Sequence, residues 1–88
     1  MKILLFEAIW CRDCKIMRPL WRNLKLEMPK LDIQHFDVDE HKEYCKVFAI
    51  FDVPVAIFAD KDGKEISRLT GILHKDLVID LIKKYKNL

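Results

Sequence analysis

The sequence predicts an α/β fold, a four-stranded mixed sheet with helices on both faces, and three observations support it. Strand-like and helix-like hydrophobic periods follow one another along the 88 residues in the order β-α-β-α-β-β-α. The first two strands are separated by a helical crossover, which makes them parallel neighbours. An Asp62-Gly63 pair between the last two strand-like runs is typical of a tight hairpin, which makes those strands antiparallel. Residues 1–88 are therefore expected to form a single domain.

The first half of the chain contains two predicted strands and the crossover helix. Residues 2–7 are almost entirely apolar and of the length that suits a buried strand. A helix is predicted from near Cys11 to about Met28. Pro19 is expected to kink this helix without ending it, because the apolar period continues on both sides. Residues 31–38 alternate apolar and polar side chains, which indicates a strand with one covered face.

The second half begins with a short helix for which Asp39 is the predicted N-cap. Its inward side chains are predicted to be Tyr44, Val47, Phe48 and Phe51.

A strand is then predicted at residues 55–59, and a returning strand at 65–69. The last helix is predicted from about His74 to Tyr85. One face of it carries Leu77, Val78, Leu81, Ile82 and Tyr85.

Composition and charge exclude several classes of function. The 16 basic and 14 acidic residues leave a net charge of +2, and no basic run supports nucleic-acid binding. No apolar run approaches the roughly 18 residues of a membrane span, and the N-terminal residues do not resemble a signal peptide. We therefore expect a cytoplasmic monomer. Three cysteines do not suggest a structural disulfide framework, so catalysis or metal binding is the better interpretation.

The segment Trp10-Cys11-Arg12-Asp13-Cys14 lies where the first strand gives way to the first helix. A helix N-terminus has unpaired N–H groups and a partial positive charge, so it favours a thiolate over a thiol. The spacing therefore predicts a reactive cysteine pair. The alternative is a zinc half-site, for which the remaining ligands would be drawn from His35, His41, Cys45 and His74.

The chain resembles the thioredoxin superfamily along nearly its whole length. The resemblance rests on the Trp-Cys-x-x-Cys segment in its strand-to-helix position, and on further matches at Lys15, Pro19, Pro54, Asp62-Gly63 and Gly71. The chain lacks the additional N-terminal strand and helix usual in thioredoxins, so in length it is more similar to a glutaredoxin or a minimal thioredoxin-like protein. The resemblance implies the minimal thioredoxin fold and a thiol-disulfide oxidoreductase that needs neither cofactor nor metal.

The resemblance also implies roles for individual residues. Cys11, near the exposed edge of the helix, would be the nucleophile, and the more shielded Cys14 would resolve the mixed disulfide. The residues implied to contact the substrate are Trp10, Val53, Pro54 after a cis peptide bond, and Gly71.

Three departures from the family pattern concern the tuning of the site. Arg12 between the cysteines favours the Cys11 thiolate, whereas Asp13 opposes it electrostatically while favouring the helix start, so their net effect stays open. Leu5 stands where thioredoxins bury an aspartate. Glu7 lies on the same strand face and could take over that role, although a solvated charge at the strand end is the simpler interpretation. Val55 replaces the threonine that usually follows the cis proline.

The leading functional prediction is reduction of protein disulfides through Cys11 and Cys14, with either a reductase or glutathione as electron donor. A glutathione-linked, glutaredoxin-like reductase and a non-enzymatic redox-sensing or binding module are the alternatives. Cys45 is interpreted as a buried small hydrophobic residue, the alternative being an exposed thiol available for modification or dimer formation.

Overall fold

The computed structural model describes residues 1–88 and contains four strands and three helices, in the predicted order. In chain order these are β1 (Lys2–Glu7), α1 (Arg12–Glu27), β2 (Asp32–Asp37), α2 (Lys42–Val47), β3 (Val55–Ala59), β4 (Glu65–Thr70) and α3 (Lys75–Tyr85). The predicted α/β class and the four-stranded mixed sheet are confirmed.

The strands form one sheet in the order β2-β1-β3-β4. β1 runs parallel to β2, from Lys2 beside Asp32 to Glu7 beside Asp37, as the crossover helix α1 requires. β3 is antiparallel to both β1 and β4. β1 is therefore an inner strand of the sheet. The chain continues from its carboxyl end into α1.

Alternate side chains of β1 enter two separate apolar layers, because successive strand residues point to opposite faces. Ile3 and Leu5 pack against α1 and α3, where the contacts come from Met17, Trp21, Leu24, Val78 and Ile82. Leu4 and Phe6 face the other side, where α2 and its flanking loops contribute Phe36, Val38, Cys45, Phe48 and Ile50. The sheet is thus covered on both faces, and β1 is held from both sides.

The short helix α2 differs most from its prediction. Its N-cap is His41 rather than Asp39, and it ends at Val47 after six residues. Val47 and Phe51 were predicted to face inward and are instead 76% and 89% exposed. For Phe51 the reason is that Ala49 adopts a positive φ of 52° just after the helix, so the helical period does not continue to that residue. Val47 lies within α2, on its solvent-exposed face.

Smaller differences concern residues on the other predicted apolar faces. Tyr44 of α2 and Leu77 of α3 are each about half exposed rather than buried. The helix α1 continues uninterrupted through Pro19. Each helix buries a narrower stripe than its apolar pattern suggested, because the small sheet covers only part of each helix surface.

Candidate active site

The cysteine pair lies at the N-terminus of α1, just beyond the end of β1. Cys11 is the N-cap residue, and its N–H donates to the carbonyl oxygen of Ala8 over 3.2 Å. Cys11 and Cys14 are joined as a disulfide, with Cα atoms 5.3 Å apart. The N–H of Cys14 donates to Sγ of Cys11 over 3.1 Å. A first-turn amide therefore points at the sulfur that would carry negative charge in the reduced form, and this contact stabilises a thiolate.

Both cysteines are buried, with Cys11 6% and Cys14 3% exposed. They form a small apolar cluster with Ala8, against which Val38 and Val53 pack. The predicted contrast between an exposed Cys11 and a shielded Cys14 is therefore small in this oxidised form. Val38 and Val53 cover the cluster that contains both cysteines, so both side chains are shielded.

Pro54 lies close to the cysteine pair, and the peptide bond between Val53 and Pro54 is cis, the isomer that the resemblance implied. Pro54, Gly71 and Cys14 line the same small cavity. The N–H of Gly71 donates to the carbonyl oxygen of Pro54 over 2.9 Å. Gly71 has a φ of 86°, a conformation that side chains disfavour, so a glycine suits the turn that makes this bond. The end of β4 is thereby tied to the proline loop.

The remaining predicted site residues lie on the surface around the disulfide. Trp10 is 68% exposed, and its Nε1–H donates to the carboxylate of Asp39 over 3.0 Å. This bond holds the indole beside Cys11. Asp39 therefore contacts Trp10 and does not cap α2, whose N-cap is His41. Arg12 and Asp13 are exposed in the first turn of α1.

Glu7 has a partner that the sequence did not reveal. Its carboxylate lies 2.8 Å from Nδ1 of His35 on the neighbouring strand β2, and the residue also lines the cavity beside Cys14. The hydrogen bond to Glu7 raises the pKa of His35, and the negative charge of Glu7 adds to this effect, while burial and Arg18 oppose it. Glu7 is therefore a paired charge at the edge of the site rather than a freely solvated one.

Replacing Glu7 by glutamine is expected to remove a pH-dependent contribution to stability. Because the folded-state pKa of His35 is raised, its pairing with Glu7 stabilises the fold fully below about pH 6.5, the unfolded value. This contribution is lost as the pH rises through the folded pKa. His35 is 57% exposed, so the effect should stay below about 1 kcal/mol.

Urea unfolding at pH 5.5 and 8.5 measures this effect as the stability difference between wild type and Glu7→Gln at each pH. Glu27→Gln is the matched control, because Glu27 pairs with Lys75 and no histidine is involved. Its stability difference should be the same at both pH values. An equal loss for Glu7→Gln at both pH values would contradict the assigned pairing.

Cys45 is a half-buried residue of α2, and its Sγ lies 3.9 Å from the carbonyl oxygen of Val38. Burial raises the pKa of the Cys45 thiol, and the charge of Asp39 adds to the shift. This environment supports the interpretation of Cys45 as a packed hydrophobic residue over that of an exposed reactive thiol.

In the oxidised protein, Cys45 is the one free thiol, so its modification can be followed alone. We expect alkylation by iodoacetamide at pH 8 to be at least about tenfold slower in the folded protein than in guanidinium chloride. Mass spectrometry of quenched samples would measure both rates. Equal rates would show that the thiol is accessible in the fold.

Sequence reasoning missed two residues beside the site, Phe51 and Asp52. They lie in the loop between α2 and β3, and with Trp10 and Val53 they line a groove next to the disulfide. The available signal was their position, because they directly precede Val53 and Pro54, which the resemblance had placed at the substrate. No group of three or more His, Cys, Asp or Glu side chains is arranged to hold a metal ion. No helix is long and apolar enough to cross a membrane.

Arg68 of β4 holds the start of the loop between α2 and β3 in place. Its Nη2 donates to the carbonyl oxygen of Phe48 over 2.6 Å, and its Nη1 donates to that of Ala49 over 3.4 Å. Glu65 orients the guanidinium through two hydrogen bonds of 2.6 Å, and this contact lowers the pKa of Glu65. The loop therefore leaves α2 along a defined path, although it has no regular secondary structure.

A mixed sheet with a Cys-x-x-Cys disulfide at the start of its crossover helix and a cis proline beside it defines a dithiol-disulfide oxidoreductase. Comparison with known proteins agrees. The thioredoxin family model matches residues 1–84. The chain is 35% identical over 81 residues to a thioredoxin of Chlamydia trachomatis, covering 92% of this chain and 78% of that protein. It is 32% identical over 81 residues to a thioredoxin of Bacillus subtilis, covering 91% and 77%.

Solved structures are similar in fold as well. Thioredoxin 1 of Thermosipho africanus superimposes with a TM-score of 0.83 at 32% identity, covering 99% of this chain and 96% of that one. A thioredoxin of Nicotiana alata gives a TM-score of 0.84 at 30% identity, covering 94% and 70%. The chain belongs to the thioredoxin family. This membership supports thioredoxin chemistry and does not favour the glutaredoxin-like alternative.

Proposed function

We propose that the protein reduces disulfide bonds in other proteins, using Cys11 and Cys14 as a dithiol. The observation that carries this proposal is the placement of the cysteine pair. Sγ of Cys11 accepts the N–H of Cys14 at the start of α1, beside the cis Val53–Pro54 bond. A sulfur held there is stabilised as a thiolate and remains next to the surface on which a substrate chain can lie.

In the first step, the Cys11 thiolate attacks one sulfur of the target disulfide. The target S–S bond breaks as a bond forms between Cys11 and the target, and the other target sulfur leaves as a thiolate that takes a proton from water. Trp10 and Val53 would hold the substrate segment in place during this attack. Both lie next to the cysteine pair, and neither the N–H nor the C=O of Val53 makes a backbone hydrogen bond within the chain.

In the second step, Cys14 loses its proton and attacks Sγ of Cys11. The mixed disulfide breaks, the second target sulfur leaves as a thiolate that is then protonated, and the Cys11–Cys14 disulfide forms. The target has gained two electrons and two protons, and the protein has lost them. A dithiol or flavin-linked reductase must return them, and we propose a reductase rather than glutathione as the donor because the chain belongs to the thioredoxin family.

We further propose that the protein works as a monomer in the cytoplasm. The compartment is supported by the half-buried free thiol of Cys45, which persists most easily where thiols are kept reduced.

Insulin reduction tests the proposal directly. With dithiothreitol as the terminal reductant, catalytic amounts of the protein should accelerate precipitation of the insulin B chain well above the rate with dithiothreitol alone. Purified thioredoxin reductase with NADPH should replace dithiothreitol, and glutathione with glutathione reductase should not. Slow turnover combined with tight, redox-dependent partner binding would instead favour a non-enzymatic module, and faster turnover with glutathione would favour the glutaredoxin-like alternative.

A further inference from the structure

An open apolar groove lies beside the disulfide. It has a volume of about 250 Å³ and is lined by Trp10, Val38, Ile50, Phe51, Asp52 and Val53. This is below the roughly 300–1,000 Å³ of a typical small-molecule site, so its size suits one or two side chains of a bound peptide. Phe51 is the most exposed large apolar side chain of the protein, at 89%, and Trp10, which also lines the groove, is 68% exposed. Two exposed aromatic side chains lining one groove form a surface suited to protein contacts.

The charge of the groove is negative. Asp52 is exposed and makes no side-chain hydrogen bond or ion pair with the rest of the protein, and no cationic side chain lines the groove. Asp39 lies behind Trp10, where its carboxylate accepts the indole N–H. A basic side chain of a bound segment would therefore find a free carboxylate at Asp52, whereas an acidic one would be repelled.

The groove is continuous with the reacting atoms. Trp10 is bonded directly to Cys11 in the chain, and Val53 packs against the cluster that contains both cysteines. The backbone groups of residues 51–53 make no backbone hydrogen bonds within the chain. An extended segment attached to Cys11 through a mixed disulfide would thus pass over these groups and place its neighbouring side chains in the groove.

We propose that Phe51 and Asp52 determine substrate specificity, so that the protein prefers disulfides whose cysteine is flanked by an apolar side chain and a basic side chain. Phe51 contacts the apolar residue, and Asp52 pairs with the basic one. This inference rests on the proposed function, because it requires a peptide segment to be held at Cys11. Arg68 fixes the loop that carries both residues, so the groove is formed before the substrate arrives.

Four disulfide-linked peptide homodimers test the inference. They share one sequence except at the two positions flanking cysteine, which carry Leu or Ser on one side and Lys or Glu on the other. The second-order rate constant for oxidation of the reduced protein by each peptide is measured by stopped-flow tryptophan fluorescence. Bis(2-hydroxyethyl) disulfide, which has neither an apolar side chain nor a charge, reports the intrinsic reactivity of Cys11.

We expect the Leu/Lys peptide to react fastest, with replacement of Leu by Ser slowing the reaction roughly tenfold. Replacement of Lys by Glu should slow it roughly fivefold, and about 1 M salt should largely remove this difference. Phe51→Ala should abolish the Leu preference, and Asp52→Asn should abolish the Lys preference. Each rate is divided by the rate of the same variant with bis(2-hydroxyethyl) disulfide, so that a change in the intrinsic reactivity of Cys11 does not count as a change in preference.

The matched controls are Leu26→Ala on α1 and Asp80→Asn on α3, which remove an exposed apolar side chain and an exposed carboxylate outside the groove. Both should keep the wild-type preferences. Equal rates for all four peptides, or preferences that survive Phe51→Ala and Asp52→Asn, would overturn the inference while leaving the proposed function intact. A wild-type protein that fails to reduce even bis(2-hydroxyethyl) disulfide would overturn both.

Discussion

Replacing Cys11 by serine is expected to lower the rate of insulin reduction at least about a thousandfold, to the rate without the protein. A serine hydroxyl at this position cannot form the mixed disulfide that begins the reaction. The fold should persist, because the two side chains are nearly the same size. Far-ultraviolet circular dichroism would verify the fold, and the insulin assay would measure the loss.

Cys14→Ser should fail at the next step instead. The Cys11 thiolate can still attack, but the mixed disulfide cannot be resolved from within the chain, so a covalent complex with the target should accumulate. Non-reducing gel electrophoresis would reveal it as a band that disappears with dithiothreitol. Cys45→Ser is the control and should retain wild-type activity. An active Cys11→Ser variant, or a complex trapped by Cys11→Ser rather than by Cys14→Ser, would contradict the assigned roles.

Phe6→Ala is expected to cause the largest loss of stability. Phe6 is fully buried at the centre of the sheet, stacked on Phe36 at 5.3 Å between ring centroids and packed against Phe48 at 5.8 Å. Truncation of such a ring costs about 3–5 kcal/mol through lost burial and the cavity left behind. Since domains of this size have a total stability of only about 5–15 kcal/mol, the variant should be marginally folded. Urea unfolding followed by circular dichroism would measure the change.

The matched control for Phe6→Ala is Val47→Ala. Val47 lies on α2 on the same side of the sheet, and its side chain is 76% exposed. Its truncation should change the free energy of unfolding by no more than about 0.5 kcal/mol. A loss below about 1 kcal/mol for Phe6→Ala would mean that the layer beneath α2 is not closely packed.

The accuracy of the sequence predictions followed the strength of the local hydrophobic pattern. β1 and β3 begin and end at the predicted residues because each is a short apolar run bounded by charged or turn-forming residues. Asp60, Asp62 and Gly63 formed the predicted hairpin turn, in which the side chain of Asp60 accepts two backbone N–H groups. These features depend on residues close together in the chain, so a single sequence contains the necessary information.

The prediction for α2 was wrong in its N-cap and in two of its inward side chains. Tyr44, Val47 and Phe51 have helical spacing, which favoured a short helix that reaches Phe51. In the structure, Arg68 binds the carbonyl oxygens of Phe48 and Ala49, and the chain turns away at Ala49. The helix ends where the N–H of Ile50 donates to the carbonyl oxygen of Cys45 and Ala49 has a positive φ. Arg68, some twenty residues further along the chain, then holds the loop, and no local pattern could reveal that contact.

The sequence by itself determined the order of the elements and the cysteine pair at the start of α1, because hydrophobic period and residue spacing are local properties. Only the tertiary structure decided what surrounds that pair. It brought Asp39 to Trp10 and His35 to Glu7 across 29 and 28 residues of chain. It also placed Phe51 on the surface. These contacts depend on sheet register and on where a loop turns, which are set by the packing of the whole chain.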